Sequence, residues 1–364
     1  MAEKQANKYR NRNITDDVYE RLADQLDALP NGFPRTESGV EIRLLKKMVE
    51  SEEAWLAGQL GRKLESVEEI AVRVDLPIAE ATKRLRGMLR RGLLSTEKRN
   101  DIRYYRLMPF LIGIYEAQLE TMDHEMAHLM EQYMMLQGAK GILGLHPALH
   151  RVMPAWQATK TEWILPYDDV RELLLKAKSF VARNCICRVE QDMLGSRKCN
   201  FPLKNCLAIS AAEGAFGADG ISQEEALALI NKTEEIGLVH TVSNNMKDVS
   251  YVCNCCGCCC GILRGITQWG VENSVAKANY YAEADPDACT GCEICIDRCQ
   301  VGAVSVDGAV ATVNLDRCIG CGLCVTGCPD EAMHLQRRPD AELVHPPSDF
   351  MAWEDARLRN RSLT

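Results

Sequence analysis

No cysteine occurs before Cys185 and none after Cys328, so all 18 fall in the second half of a 364-residue chain. Long apolar runs are missing too. The longest, around "LMPFLIGIY", reaches only about ten residues, where a helix spanning a bilayer needs roughly 20. The opening "MAEKQANKYRNRN" has no apolar h-region and no twin-Arg pair, so it does not read as a secretion signal. A cytoplasmic location is therefore expected, and disulfides are rare there. Confined thiols in that setting argue for metal. No G-x-G-x-x-G and no P-loop occurs, which leaves no nucleotide site to expect. The net charge of −8 gives no global pull toward nucleic acid or an anionic membrane. Apolar residues at 46% suffice for a core even though aromatics are sparse at 6%.

The order of patterns suggests an α+β multidomain chain with six stretches. Residues 1–34 form a polar N-terminal extension ending in "LPNGFP". In 35–109, Ser38 with Glu41 reads as a capping box, and Val40, Leu44 and Met48 share a helical face. A second helix is expected at "ESVEEIAVRV". A third is expected at "PIAEATKRLRGMLRRG", with Pro77 in its first turn and Gly92 as its stop. "LLSTEKRNDIRYYRL" reads as a hairpin around "KRND". Three helices and a hairpin resemble a winged helix-turn-helix. A helical connector follows at 110–165, then a cysteine-rich α/β middle domain at 166–275. There Ser222 with Glu225 makes a further capping box, and "LVHTV" can pair with "VSYVC". A compact cysteine domain at 276–340 and a polar tail at 341–364 complete the chain.

In 276–340, "CTGCEICIDRC" gives C-x2-C-x2-C-x3-C at Cys289, Cys292, Cys295 and Cys299. "CIGCGLCVTGCP" repeats it at Cys318, Cys321, Cys324 and Cys328. This doubled run resembles the bacterial dicluster ferredoxins, which carry two [4Fe-4S] clusters. That resemblance implies that Cys289, Cys292, Cys295 and Cys328 hold one cluster, and Cys318, Cys321, Cys324 and Cys299 the other. Zinc also uses CxxC pairs, but two knuckles do not need this doubled eight-cysteine pattern. Gln300 departs from the pattern, since proline usually follows that cysteine, whereas Pro329 is in place. The stretch holds 5 Lys/Arg against 10 Asp/Glu, an acidic surface suited to a basic partner.

The remaining ten cysteines are Cys185, Cys187, Cys199, Cys206 and the six of "CNCCGCCCG", 253–261. Neighbouring side chains diverge along an extended backbone, so adjacent cysteines should serve different centres. One set is read as Cys253, Cys256 and Cys259, at x2 spacing. Cys255 and Cys258 form a second, and Cys260 is left over. The four upstream cysteines would complete both. One or two further iron–sulfur clusters are expected here, with zinc and a thiol cluster as the alternatives. "CICR", "CNCCGCCCG" and a dicluster ferredoxin in that order resemble a set of bacterial 4Fe-4S binding proteins over most of the chain. The resemblance brings no substrate with it.

Nine basic residues crowd 83–106 against Glu97 and Asp101. Arg84, Arg86, Arg90 and Arg91 are the candidate contacts for DNA or a protein partner, with a solvated face as the plain reading. "HEMAH", 124–128, matches a zinc-peptidase pattern, yet Met122, Met126, Met130 and Met134 around it read as a packing stripe. No third ligand follows, so packing is the expectation.

Taken together, the residues point to an iron–sulfur electron-transfer protein or oxidoreductase subunit of anaerobic metabolism rather than a stand-alone enzyme. It would exchange electrons with a partner, plausibly a flavoprotein. The alternative is a redox- or Fe-S-sensing winged-helix transcription regulator. A third option is an extra cluster with a surplus thiol that does chemistry itself.

Overall fold

The computed structural model describes residues 17–160 and 164–361, and its contacts divide into two units that meet at residues 142/143. The first unit begins with α1 (Asp17–Ala28), inside the stretch expected to be a polar extension. Val18, Leu22, Leu26 and Leu29 recur at helical spacing and are buried, which is why it folds. Residues 1–16 of that expected extension lie outside the described residues.

Helices α2 (Val40–Met48) and α3 (Ser51–Ala57) follow. Gly39, with φ of 65°, precedes α2, and no side chain caps it there, so the expected Ser38 box does not form. Ser66 instead makes a capping box with Glu69 at the start of α4 (Val67–Arg73). Pro77 sits one residue before α5 (Ile78–Arg90). The strands β2 (Leu94–Arg99) and β3 (Ile102–Leu107) form the hairpin, and β3 also pairs with the short β1 (Glu65–Ser66). Asn100 and Asp101 both take positive φ at the turn, the conformation that matches the twist of a two-residue hairpin. In α6 (His124–Tyr133), Met126 and Met130 are buried, while His124 and His128 are exposed. Lys47 pairs with Glu125 at 2.7 Å, so "HEMAH" serves packing and surface pairing. Three aromatic rings pack together in this unit. Phe33 lies 4.6 Å from Phe110 and 5.1 Å from Tyr133, ring to ring.

The second unit is built on a six-stranded sheet in the order β5-β6-β8-β7-β4-β9. Its strands are β4 (His150–Met153), β5 (Ser179–Asn184), β6 (Lys204–Ser210), β7 (Val239–Ser243), β8 (Tyr251–Cys255) and β9 (Val275–Ala276). Neighbours run antiparallel except β4 and β9. The expected pairing of "LVHTV" with "VSYVC" is present as β7 with β8. β4 falls in the stretch read as a helical connector, where its four residues are all buried. One sheet face carries Phe180, Leu207, Ile209, Val242 and Val252. These pack with Val170 and Leu174 of α7 (Val170–Lys176) and with Ala226 and Ile230 of α9 (Gln223–Glu235). Ser222 and Glu225 make the capping box of α9.

Beyond the sheet, β10 (Tyr280–Ala284) pairs with β13 (Met333–Arg337), and β11 (Val304–Asp307) with β12 (Val310–Val313). Two short helices, α11 (Ile294–Arg298) and α12 (Leu323–Thr326), each lie inside a cysteine run and carry its third cysteine, Cys295 and Cys324. The stretch expected as a polar tail contains α13 (Phe350–Asn360). Trp353 is buried and donates to Ala148 O at 2.9 Å, and Arg357 donates to Leu145 O at 2.8 Å. These two side chains, spaced one helical turn apart, anchor the helix.

Candidate metal centres

Each strand of the main sheet shows the core one face and the opposite face something else. On β8, Val252 is a core residue, so Cys253 and Cys255 emerge on the other side. The β6–β8 register sets Leu207 against Val252, which brings Cys206 to the same side. Cys185 follows β5 directly and precedes α8 (Ile186–Met193), whose first turn carries Cys187. Cys260 precedes α10 (Gly261–Thr267). These six thiols close a ring. Side-chain contacts run from Cys185 to Cys187, Cys260, Cys255, Cys253, Cys206 and back to Cys185. Cys255 and Cys260 are 3.3 Å apart at sulfur, and Thr241 Oγ1 lies 3.4 Å from Cys255 Sγ.

The other four middle cysteines form a second, tighter group. The sulfurs of Cys199, Cys256, Cys258 and Cys259 all lie within 4.8 Å of one another. Cys199 is 3.9 Å from Cys256 and 3.7 Å from Cys259, and Cys258 is 3.5 Å from Cys259. Leu238, Ile236 and Phe201 pack around them.

The ten thiols thus divide six and four, and the expected interleaving is corrected. Cys253 does not join Cys256 and Cys259, Cys255 does not join Cys258, and Cys260 is not left over. Strand β8 continues through Cys255, so a period of two governs 253–255 where a period of three was assumed. The chain then turns sharply at 257–259 and starts α10, which sends Cys260 back to the ring.

Both groups crowd more sulfur than can ionise together. Hydrogen bonds from Cys187 and Cys206 hold the Cys185 thiol well below its ordinary value, and those two neighbours are pushed up in return. In the tighter group, bonds from Cys258 and Cys259 hold Cys256 far below its usual value. The bond to Cys256 pushes Cys258 up to about 12. A cation removes this conflict, because a coordinated thiol gives up its proton outright.

Between the groups lies Arg188, a fully buried guanidinium that sequence reasoning passed over although it completes "CICR". It donates to Asn205 Oδ1 at 2.7 Å and to Asn254 O at 2.9 Å. Burial alone would lower its pKa, but the charges of Cys185, Cys256 and Cys255 raise it above the usual value.

The two ferredoxin-like runs belong to the same unit, and the first of them ends against the middle cysteines. A shallow recess is lined by Cys289, Cys292, Cys295 and Cys328, with Ile294, Val306, Ala311 and Met333. Ala311 N–H donates to Cys289 Sγ at 3.4 Å, and Ala303 N–H to Cys299 Sγ at 3.2 Å. Cys299, Cys318, Cys321 and Cys324 are close enough to act on one another electrostatically, and burial pushes Cys321 up to about 12. Residues 281–329 match the family model of the 4Fe-4S dicluster domain. No curated protein and no solved structure matches the chain. The dicluster segment brings iron–sulfur cluster binding to this protein, and its sulfur-lined recess with amides donating to sulfur fits such a group.

The dicluster domain is clamped to the cysteine-rich sheet by two residues. Arg298 donates to Glu235 O at 2.9 Å and to Glu234 O at 3.1 Å, at the end of α9. Gln300, the residue standing where proline was expected, accepts from Gly257 N–H at 2.9 Å and donates to Gly237 O at 2.9 Å. Its departure from the pattern was the visible signal. It joins the turn after Cys299 to the "CNCCGCCCG" loop.

The basic residues of the first unit separate into two kinds. Arg84 pairs with Glu80 at 2.8 Å and Arg91 with Glu53 at 2.6 Å. Lys83, Arg86 and Arg90 recur along one exposed face of α5, and no acidic partner is within reach among the described residues.

Proposed function

We propose that this protein is an iron–sulfur electron carrier that works as a partner or subunit of an oxidoreductase. The matched dicluster segment and its four-cysteine recess carry this reading. Each bound cluster takes up or gives up one electron. In this reading Cys289, Cys292, Cys295 and Cys328 hold one [4Fe-4S] cluster, and Cys318, Cys321, Cys324 and Cys299 the other. A further iron–sulfur centre belongs to the ring of Cys185, Cys187, Cys206, Cys253, Cys255 and Cys260. Among the described residues no three of these six sulfurs come mutually within 4.8 Å, so the ring is too wide for a single ion and suits a polynuclear centre. Gln300 holds the dicluster domain against the loop that links ring and tight group, and Arg298 holds it to the end of α9. No described helix is long and apolar enough to cross a membrane.

Anaerobically isolated protein is expected to contain about 12 iron atoms, at four per cubane. Cys260→Ser should lower iron by about four and leave the two ferredoxin signals in the EPR spectrum of the reduced protein. Full iron retention in that variant would remove the ring from the account. Loss of both ferredoxin signals from unaltered protein, with zinc in their place, would end the electron-carrier reading.

From α3 to β3 the helix–hairpin unit runs α-β-α-α-β-β, three helices and a hairpin with β1 added to the sheet, the order read as a winged helix, and α2 precedes it. In this proposal the face of Lys83, Arg86 and Arg90 docks an acidic protein surface. Reversing Arg86 and Arg90 to Glu should leave iron content unchanged and weaken a partner complex by 10-fold or more, about 1.4 kcal/mol. Sequence-specific DNA binding at a Kd near 10⁻⁸ M, lost in the same variant, would favour a regulator instead.

A further inference from the structure

The tight group differs from every other thiol set in the chain in its spacing. A zinc ion with four thiolates at about 2.3 Å in a tetrahedron holds its sulfurs about 3.8 Å apart. The sulfurs of Cys199 and Cys256, Cys199 and Cys259, and Cys258 and Cys259 are 3.9, 3.7 and 3.5 Å apart, and the remaining pairs lie within 4.8 Å. A cubane places its ligands on four separate iron atoms and so spreads them farther. The dicluster domain supplies the comparison within the same chain. Among the described residues neither of its four-cysteine sets draws together within 4.8 Å, as the tight group does.

Charge and surroundings agree with one ion. Zinc with four thiolates carries a net charge of −2. Arg188 lies beside Cys256, and Arg197 lies beside Cys199, so each of these two sulfurs has a guanidinium neighbour. Arg197 is fixed by Asp192 at 2.8 Å. Leu238 and Ile236 close the site with apolar surface, as suits a structural position that admits no fifth ligand. Three ligands come from the single turn 256–259, and Cys199 arrives from the segment between α8 and β6.

We propose that Cys199, Cys256, Cys258 and Cys259 bind one zinc ion as a closed tetrathiolate site, distinct from the iron–sulfur centres. The ion fixes the turn that carries Gly257, and through Gly257 it sets where Gln300 and the dicluster domain stand. The site does not depend on the electron-carrier reading, because it concerns a different metal and different residues.

The test uses full-length protein isolated anaerobically without added zinc. Elemental analysis should give one zinc per chain, and zinc K-edge absorption should show four sulfur neighbours at about 2.3 Å. Cys258→Ser should lower zinc occupancy at least 10-fold while iron per chain stays constant. Absorption on the unaltered protein decides the question even where that variant folds poorly. Less than 0.2 zinc per chain would overturn the proposal. So would a first shell containing nitrogen or oxygen, a single high-spin ferric ion in the site, or a loss of four iron atoms in Cys258→Ser.

Discussion

Arg188→Leu is expected to destabilise the second unit by about 3–5 kcal/mol, the range for removing one partner of a buried charge pair. The guanidinium is completely buried and stands beside Cys185, Cys255 and Cys256, which belong to both thiol groups. Its removal leaves those sulfurs uncompensated. It also strips donors from Asn205 Oδ1, Asn254 O and Pro202 O. Arg188→Lys keeps the charge but cannot reach three acceptors in one plane, so it should fall between leucine and the parent. Urea denaturation followed through the visible absorbance of the clusters measures this. In any leucine variant that retains its metal, the reduction potential of the ring centre should drop, since a neighbouring cation favours the more negative, reduced state. Unchanged midpoint and potential in Arg188→Leu would show that the buried cation plays no part in either group.

The second large effect is expected at Gly257. A Cβ there would stand 1.9 Å from the carbonyl oxygen of Gln300. That contact is with backbone, so no side-chain rotation relieves it. Either the "CNCCGCCCG" turn or the turn after Cys299 must move. Overpacking of this kind costs about 1–3 kcal/mol and occasionally more. Gly257→Ala should therefore lower the melting temperature by several degrees and reduce iron in the dicluster domain, whose proposed ligand Cys299 adjoins the displaced residue. Gln300→Pro is the informative companion. It restores the residue that usually follows this cysteine, and it removes the bonds to Gly257 N–H and Gly237 O. Each buried group so orphaned costs about 1–3 kcal/mol. Should Gly257→Ala melt and load iron like the parent, the two turns are not in the contact described.

Much of this was legible in the sequence where local rules govern. The doubled C-x2-C-x2-C-x3-C run is self-contained within 40 residues, and 281–329 match the dicluster family. Ser222 with Glu225 capped its helix because both ends of a capping box lie within one turn. The hairpin at Asn100 and Asp101 was readable from four residues. Reading failed where the deciding contact was remote. Which thiols gather depends on where β8 ends, and that is set by its pairing with β6 and β7. Extending a spacing of three back through Cys253 missed that boundary by two residues. Arg188 gave no local sign of burial, because its partners come from positions 202, 205 and 254. The helix of the C-terminal stretch was obscured by its polar composition, since only Trp353, Glu354 and Arg357 turn inward.

The two faces of the six-stranded sheet bear on how the protein matures. The face with Phe180, Leu207, Val242 and Val252 is sealed by α7 and α9 through apolar contacts that involve no cysteine. Strands β6 and β8 are therefore held in register before any metal is delivered, and Cys206, Cys253 and Cys255 are already set out on the far face. Under the proposed reading, iron delivery to the ring is a late event on a prefolded platform. The tight group matures differently, since Cys199 must be drawn in from a segment outside the sheet to meet the turn 256–259. Metal starvation should accordingly leave the sheet intact while loosening residues 194–203, a pattern that protease nicking between α8 and β6 would reveal in freshly made, unloaded chains.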